Sequence, residues 1–184
     1  MELVKPSLAH LPSYVAALSA GWSPDNVRGE VAAAEQRAAI QENPEAFVAS
    51  LWDPDARGSR VTLPDGSTVQ RLPGYVLWLW DGEFCGSIGF RWQPGTSELP
   101  AHVLGHVGYT VVPWKRQRGY ATEALRQLLP RCREQLLAHI DVVTTPDNVA
   151  SQPVVVANGG ELVRRFLTPP AYGGGEALRY RIWL

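Results

Sequence analysis

The residues best suited to chemistry fall in one run of the chain, Gly108-Tyr-Thr-Val-Val-Pro-Trp-Lys-Arg-Gln-Arg-Gly119-Tyr-Ala-Thr-Glu-Ala-Leu125. A strand pattern ends at Pro113, a short basic loop carries Lys115, Arg116 and Arg118, and Gly119 opens a helix pattern. That order builds an anion site, because the free N–H groups and the positive dipole end of a helix point at one spot. Gly119 and the small Ala121 let a phosphate approach the backbone, and the arginines add charge-assisted hydrogen bonds. Taken alone, the segment also fits a solvated basic loop whose glycine serves only its turn, since short glycine motifs recur by chance.

The elements that must position this loop are read from periodicity. Apolar spacings of three and four predict helices over 8–20, 27–41 and from Pro44 through Leu51. The period then changes to two. Residues 61–63 and 68–71 read as a hairpin over Pro64-Asp65-Gly66-Ser67, and 75–80 with 83–92 as a second, closed by a two-residue type I′ turn at Asp81-Gly82. A strand over 103–112 follows, stopped by Pro113. Helical spacing returns over 119–138, where Pro130 predicts a kink. A strand over 140–144, a helix over 148–158 ended by Gly159-Gly160, and strands over 161–166 and 177–183 complete a mixed α/β order with one crossover region.

The same residues carry a resemblance. Arg116-Gln117-Arg118-Gly119-Tyr120-Ala121 is similar to the (Gln/Arg)-x-x-Gly-x-(Gly/Ala) signature of the GNAT superfamily of acyl-CoA N-acyltransferases. It follows a strand and precedes a helix, as in that family. Asn148-Val149-Ala150-Ser151 resembles the family's Asn-x-x-Ser/Ala helix start, and Asn158-Gly159-Gly160-Glu161 its helix-ending turn. The resemblance covers roughly 74–184; before residue 74 only the order of elements matches.

The resemblance implies one N-acetyltransferase domain over 1–184, with a helical acceptor-side region at 1–58, antiparallel strands at 59–112, and the CoA-binding loop, helices and last strands at 113–184. Its fold class is α/β (α+β): a mixed, mostly antiparallel twisted sheet flanked by helices and splayed between its fourth and fifth core strands. Acetyl-CoA would thread the gap as co-substrate, with no metal. Arg116, Gln117, Arg118, Gly119, Tyr120 and Ala121, with Thr122 beyond, would cradle its pyrophosphate. Main-chain groups of Val111 and Val112 would pair with the pantetheine arm, and Asn148 and Ser151 would sit beside it. Plain N-capping explains Asn148 as well as ligand binding does.

Acyl transfer to an amine needs a neutral amine and a stabilised oxyanion. His106 is the candidate base, two residues before Gly108-Tyr109, where some members of the family carry a glutamate; a strand histidine with a satisfied hydrogen bond is the plainer reading. His102, Glu98 and Glu83 are poorer candidates. Where many members have a tyrosine thought to protonate the leaving thiolate, this chain has Val155. Either Tyr172 substitutes or no acid is needed. Trp78, Trp80 and Trp92 read as sheet packing, Trp22 and Trp52 as residues able to shape the acceptor site, and Cys85 and Cys132 as small core residues.

Composition sets the bounds. The 184 residues suit one domain, and 45% hydrophobic with 19% charged residues is a globular balance. Seventeen Lys+Arg against eighteen Asp+Glu predict no general attraction to nucleic acid or anionic membrane. No signal-peptide layout, spanning apolar run or metal-ligand cysteine spacing is present, so a cytoplasmic protein is expected. The resulting expectation is an acetyl-CoA-dependent N-acetyltransferase acting on a primary amine of a small molecule or peptide by direct attack in a ternary complex, with a homodimer left open. A non-catalytic acyl-CoA-binding module and a nucleotide-phosphate-binding domain are the alternatives.

Overall fold

A computed structural model describes residues 1–63, 65–170 and 174–184. Strand β1 (Glu2–Val4) leads into helices α1 (Leu11–Ser19), α2 (Glu30–Glu42) and α3 (Pro44–Ser50). The last begins where the chemistry requires: the Asn43 side chain accepts from the Ala46 N–H at 2.8 Å, and Pro44 takes the first helical position. Short β2 (Trp52–Asp53) and the hairpin β3 (Val61–Thr62) and β4 (Thr68–Val69) precede the central strands β5 (Gly74–Trp80), β6 (Phe84–Arg91) and β7 (Val107–Val111). Then come α4 (Tyr120–Arg133), β8 (His139–Thr144), α5 (Ser151–Val156), β9 (Glu161–Leu167) and β10 (Glu176–Trp183). No helix among the described residues is long and apolar enough to cross a membrane.

The main sheet runs β1-β5-β6-β7-β8-β10-β9, with β2 paired to β5. Every named pairing is antiparallel except β7 with β8, which are parallel and share a single register pair, Val107 with Val142. Beyond that pair the two strands part, and the sheet opens between its fourth and fifth strands.

The two faces are filled differently. Helix α4 lays Leu125, Leu128 and Cys132 on Leu77, Ile88 and Ile140, all fully buried, and α5 adds Val155. Truncating one such leucine to alanine costs about 2–5 kcal/mol. On the other face α1–α3 close over β5 and β6 through Tyr14, Trp22, Phe47, Trp78 and Phe84, with Tyr14 stacked on Trp78 at a centroid distance of 4.6 Å. Trp78 and Trp92 are thus core residues, as expected, and so are Cys85 and Cys132. Gly86 lets β6 and β7 meet closely. Its φ is +150°, and a Cβ there would lie 2.2 Å from the Thr110 carbonyl oxygen.

Four local expectations change. The β5–β6 turn is not a two-residue type I′ turn: Trp80 pairs with Phe84, leaving Asp81, Gly82 and Glu83 outside the ladder, and of these only Gly82 has positive φ. The strand expected over 103–112 begins only at Val107, because the preceding segment crosses onto β8, where the His106 N–H donates to the Asp141 carbonyl at 2.8 Å. The helix expected over 148–158 spans only Ser151–Val156. The helix expected over 119–138 spans Tyr120–Arg133: it continues past Pro130 but ends about one turn later, and Leu136 beyond it has a φ of +56°.

Candidate active site

The gap between β7 and β8 is lined by main chain. Arg91 N–H donates to the His106 carbonyl and Val112 N–H to the Cys85 carbonyl, so within β7 the even-numbered residues bond to β6. By alternation, Tyr109 and Val111 direct their N–H and C=O groups to the side from which β8 has withdrawn. Val111 therefore faces the gap as expected, with its carbonyl accepting from Arg116 Nε at 3.2 Å. Val112 does not fit the expectation. Its N–H bonds Cys85 and its carbonyl accepts from the Lys115 N–H at 3.0 Å, leaving neither group for an incoming arm.

Past Val112 the chain makes one 3₁₀ turn, Pro113–Lys115, and enters α4 through Gln117 and Gly119, which have φ of +60° and +75°. Gly119 is the N-cap, and no side chain caps the helix. The first-turn N–H groups at Tyr120, Ala121 and Thr122 thus point outward beside Arg116 and Arg118, both exposed. These are the groups the motif brings together as a candidate anion site, and Lys115 does not join them. Its ammonium is buried and binds Asp81 Oδ1 at 2.6 Å and Glu83 at 2.7 Å. The Tyr120 hydroxyl donates to Asp81 Oδ2 at 2.6 Å. One carboxylate in the β5–β6 turn therefore ties down both ends of the basic loop. The hydrogen bonds from Lys115 and then Tyr120 hold the Asp81 carboxyl well below the usual carboxylate range. Burial alone would lower the Lys115 pKa, but its bonds to Asp81 and Glu83 outweigh that and keep it charged.

Across the gap, the Tyr109 side chain reaches the start of α5, where its hydroxyl lies 2.7 Å from Ser151 Oγ. Burial pushes the Tyr109 phenol up to about 12, so it stays protonated at neutral pH. Asn148 Oδ1 accepts from the Ser151 N–H at 3.3 Å, but the N-cap of α5 is Ala150, so Asn148 is not the capping residue expected of it. Val155 is fully buried against Gly160, where a Cβ would lie 2.4 Å from its Cγ1. Tyr172 lies outside the described residues.

His106 is fully buried just ahead of β7, and its Nδ1 accepts from the Asp141 N–H at 2.9 Å. The neutral ring then carries its proton on Nε2, which has no partner among the described residues, so no lone pair is free to take a proton. Burial lowers its pKa to about 4. On the same side of the sheet as α1–α3, an open groove of about 1210 Å³ is lined by Gln36, Trp52, Arg91 and Val103 among others. Gly89 pairs with Gly108 between this groove and the gap, and nothing lies within 4 Å of where a Gly108 Cβ would stand. Trp52 lines the groove, whereas Trp22 is buried and donates to Thr110 Oγ1.

A family model described as an acetyltransferase (GNAT) domain matches residues 3–161. The chain belongs to the GNAT acetyltransferase family. Among solved structures, a ribosomal L7/L12 α-N-protein acetyltransferase in complex with coenzyme A has a TM-score of 0.62 at 14% identity, over 99% of this chain and 93% of that one. A microcin C7 self-immunity acetyltransferase in complex with acetyl-CoA and AMP has a TM-score of 0.61 at 12% identity, over 99% and 91%. An acetyltransferase from Agrobacterium tumefaciens has a TM-score of 0.54 at 21% identity, over 99% and 90%. A search of curated protein sequences found no significant match. These likenesses establish the GNAT fold, a mixed and mostly antiparallel sheet flanked by helices. Two residues of the candidate site escape sequence reasoning. Tyr109 offers only its place on a strand, because the parity that turns it to the gap is set by the pairing with β6. Asp81 offers no signal, because its partners lie 34 and 39 residues later.

Proposed function

We propose that residues 1–184 form one acetyl-CoA-dependent N-acetyltransferase domain acting on a primary amine by direct attack in a ternary complex. The observation that carries this reading is the parting of β7 and β8 after a single pair, beside an uncapped helix start flanked by Arg116 and Arg118. The uncapped N–H groups of Tyr120, Ala121 and Thr122 fit a pyrophosphate, and the gap-facing main chain of Tyr109 and Val111 fits an amide-bearing arm. When bound, acetyl-CoA supplies an activated acyl group on a good leaving thiolate. The acceptor amine approaches through the groove and across the bare Gly89–Gly108 pair. It must be neutral to attack, and with the His106 lone pair engaged its proton passes to water in the groove. The N–H groups of Tyr109 and Val111 face the developing oxyanion. The Tyr109–Ser151 hydroxyl pair stands in for the absent tyrosine and returns a proton to the leaving sulfur.

The rival reading, a non-catalytic acyl-CoA-binding module, is favoured by Val155 alone. A panel of amine acceptors with acetyl-CoA and free-thiol detection separates the two. Turnover is expected, and Tyr109→Phe should lower kcat about 10-fold or more while the Kd for acetyl-CoA changes less than twofold. Tight acetyl-CoA binding with no thiol release from any amine would establish the binding module instead. Stabilisation by ATP equal to that by acetyl-CoA would favour a nucleotide-phosphate-binding domain.

A further inference from the structure

One strand beyond the gap lies a second cleft of about 560 Å³, between the 98–104 segment and strands β9 and β10. Its charged groups are Glu98, Asp141, Arg164, Arg165 and Arg179. Two of the arginines lack a counter-charge of their own: Arg164 has none, and Arg179 shares Asp141 with Arg181. Asp141 is nearly fully buried and gripped by Arg181 through two bonds at 2.8 and 3.0 Å, and Arg165 pairs with Glu176. Arg164 has no ion pair among the described residues and rests over the Phe166 ring at 5.8 Å. Arg179 lies over the same ring at 5.2 Å, reaches the Leu104 carbonyl at 3.4 Å, and keeps a buried Nε with no hydrogen-bond partner. Its contact with Asp141, at 3.7 Å, is a secondary one beside the Arg181 fork. Among the described residues of the cleft, the only carboxylate besides the shared Asp141 is Glu98 at the rim, largely exposed and 3.8 Å from His139 Nε2. A buried guanidinium N–H without an acceptor is costly, and a carboxylate is the group its planar fork fits best.

The cleft lies close to the reacting point. Arg179 pairs with Val143, one residue past the last pair that β8 shares with β7, so its Cα is roughly 6 Å from Val142 by strand spacing and rise. Val103 lines both this cleft and the acceptor groove, so one molecule crossing Val103 occupies both.

We propose that the cleft seats a carboxylate of the amine acceptor, making the substrate class acidic amines: a peptide with an acidic side chain, or a free amino dicarboxylic acid. This rests on the acetyltransferase reading for what the amine does, but not for whether the carboxylate binds. The test is therefore equilibrium binding to the whole chain by calorimetry, without acetyl-CoA, using glutamate against glutamine and a short glutamate-bearing peptide against its glutamine counterpart. The acidic member of at least one pair should bind about 10-fold or more tightly. That preference should vanish in Arg164→Gln, an exposed position whose change spares the core, and shrink as salt rises. The pair showing the larger preference identifies the source of the carboxylate. Equal affinity within both pairs, or a preference that survives Arg164→Gln, would overturn the proposal. Charge-selective binding with no acetyl transfer would support the cleft while removing the enzymatic reading.

Discussion

The two arms that part at Val107 and Val142 are held by different physics. The β7 arm is fixed by main-chain bonds to β6 and by the exchange among Asp81, Lys115 and Tyr120, and it presents backbone groups outward. The β8 arm carries a buried side-chain cluster instead: Asp141 gripped by Arg181, His106 bonded to the Asp141 N–H, and His139 beside them. A backbone site accepts a ligand that is the same in every turnover. A face of buried charge suits selection among acceptors, because each misplaced polar group there is costly.

The comparison breaks most sharply at Gly119. Gly119→Glu places a side chain and a negative charge on a residue at φ +75° in the helix N-cap, and acetyl-CoA binding should fall at least 1000-fold, beyond detection by calorimetry. Nothing lies within 4 Å of a Cβ there, so the cost to the fold is confined to the strain of a non-glycine residue at positive φ. Retained binding would mean that the phosphates sit elsewhere.

Acid should attack the β8 arm first. His106 has a folded pKa of about 4 against about 6.5 unfolded, so between those values the unfolded chain binds more protons and stability falls with pH. The loss should be complete near pH 4 and reach about 3 kcal/mol at most, with His139, also lowered by burial, adding in the same direction. Asp81 behaves oppositely. Its depressed pKa keeps its contribution intact above the unfolded carboxylate value, and that contribution is lost only as pH falls through the folded one. Denaturant melts from pH 7 to 4 should therefore show a slope that His106→Gln flattens; an unchanged slope would place the titration elsewhere.

Smaller effects come from the turn that holds the β7 arm. Asp81→Asn should weaken acetyl-CoA binding about 10-fold with little change in kcat, because it loosens both ends of the cradle without touching the reacting atoms. Glu83→Gln, at a side chain 61% exposed, should shift the same Kd less than twofold. Equal effects from the two changes would show that Lys115 needs only some nearby negative charge, not the clasp.

What was legible follows the same division. The helix from Gly119, the basic loop before it and the β5–β6 hairpin are local patterns, each set by neighbours a few residues apart, and the family signature lies among them. The start of β7, the engagement of Val112 and the inward turn of Lys115 depend on partners on other strands, so periodicity could not see them. His106 shows why residue type alone is a weak guide. The ring sits near the parting strands, but a single backbone N–H of Asp141 takes the lone pair that a base would need. The arginine cleft is less visible still, because Arg164 and Arg179 meet only through the β9–β10 pairing, where they are register partners.

The clasp at Asp81 also makes the β5–β6 hairpin a measuring rod. Each residue added to an antiparallel strand advances its tip by about 3.4 Å, more than the 2.6 Å that separates the Asp81 carboxylate from either the Lys115 ammonium or the Tyr120 hydroxyl. Lengthening or shortening the hairpin by one pair would carry the carboxylate out of reach of both and turn successive side chains to the other face. The length of these two strands is thus set by a loop more than thirty residues downstream, and a change that the sheet itself would tolerate is one that the cradle would not.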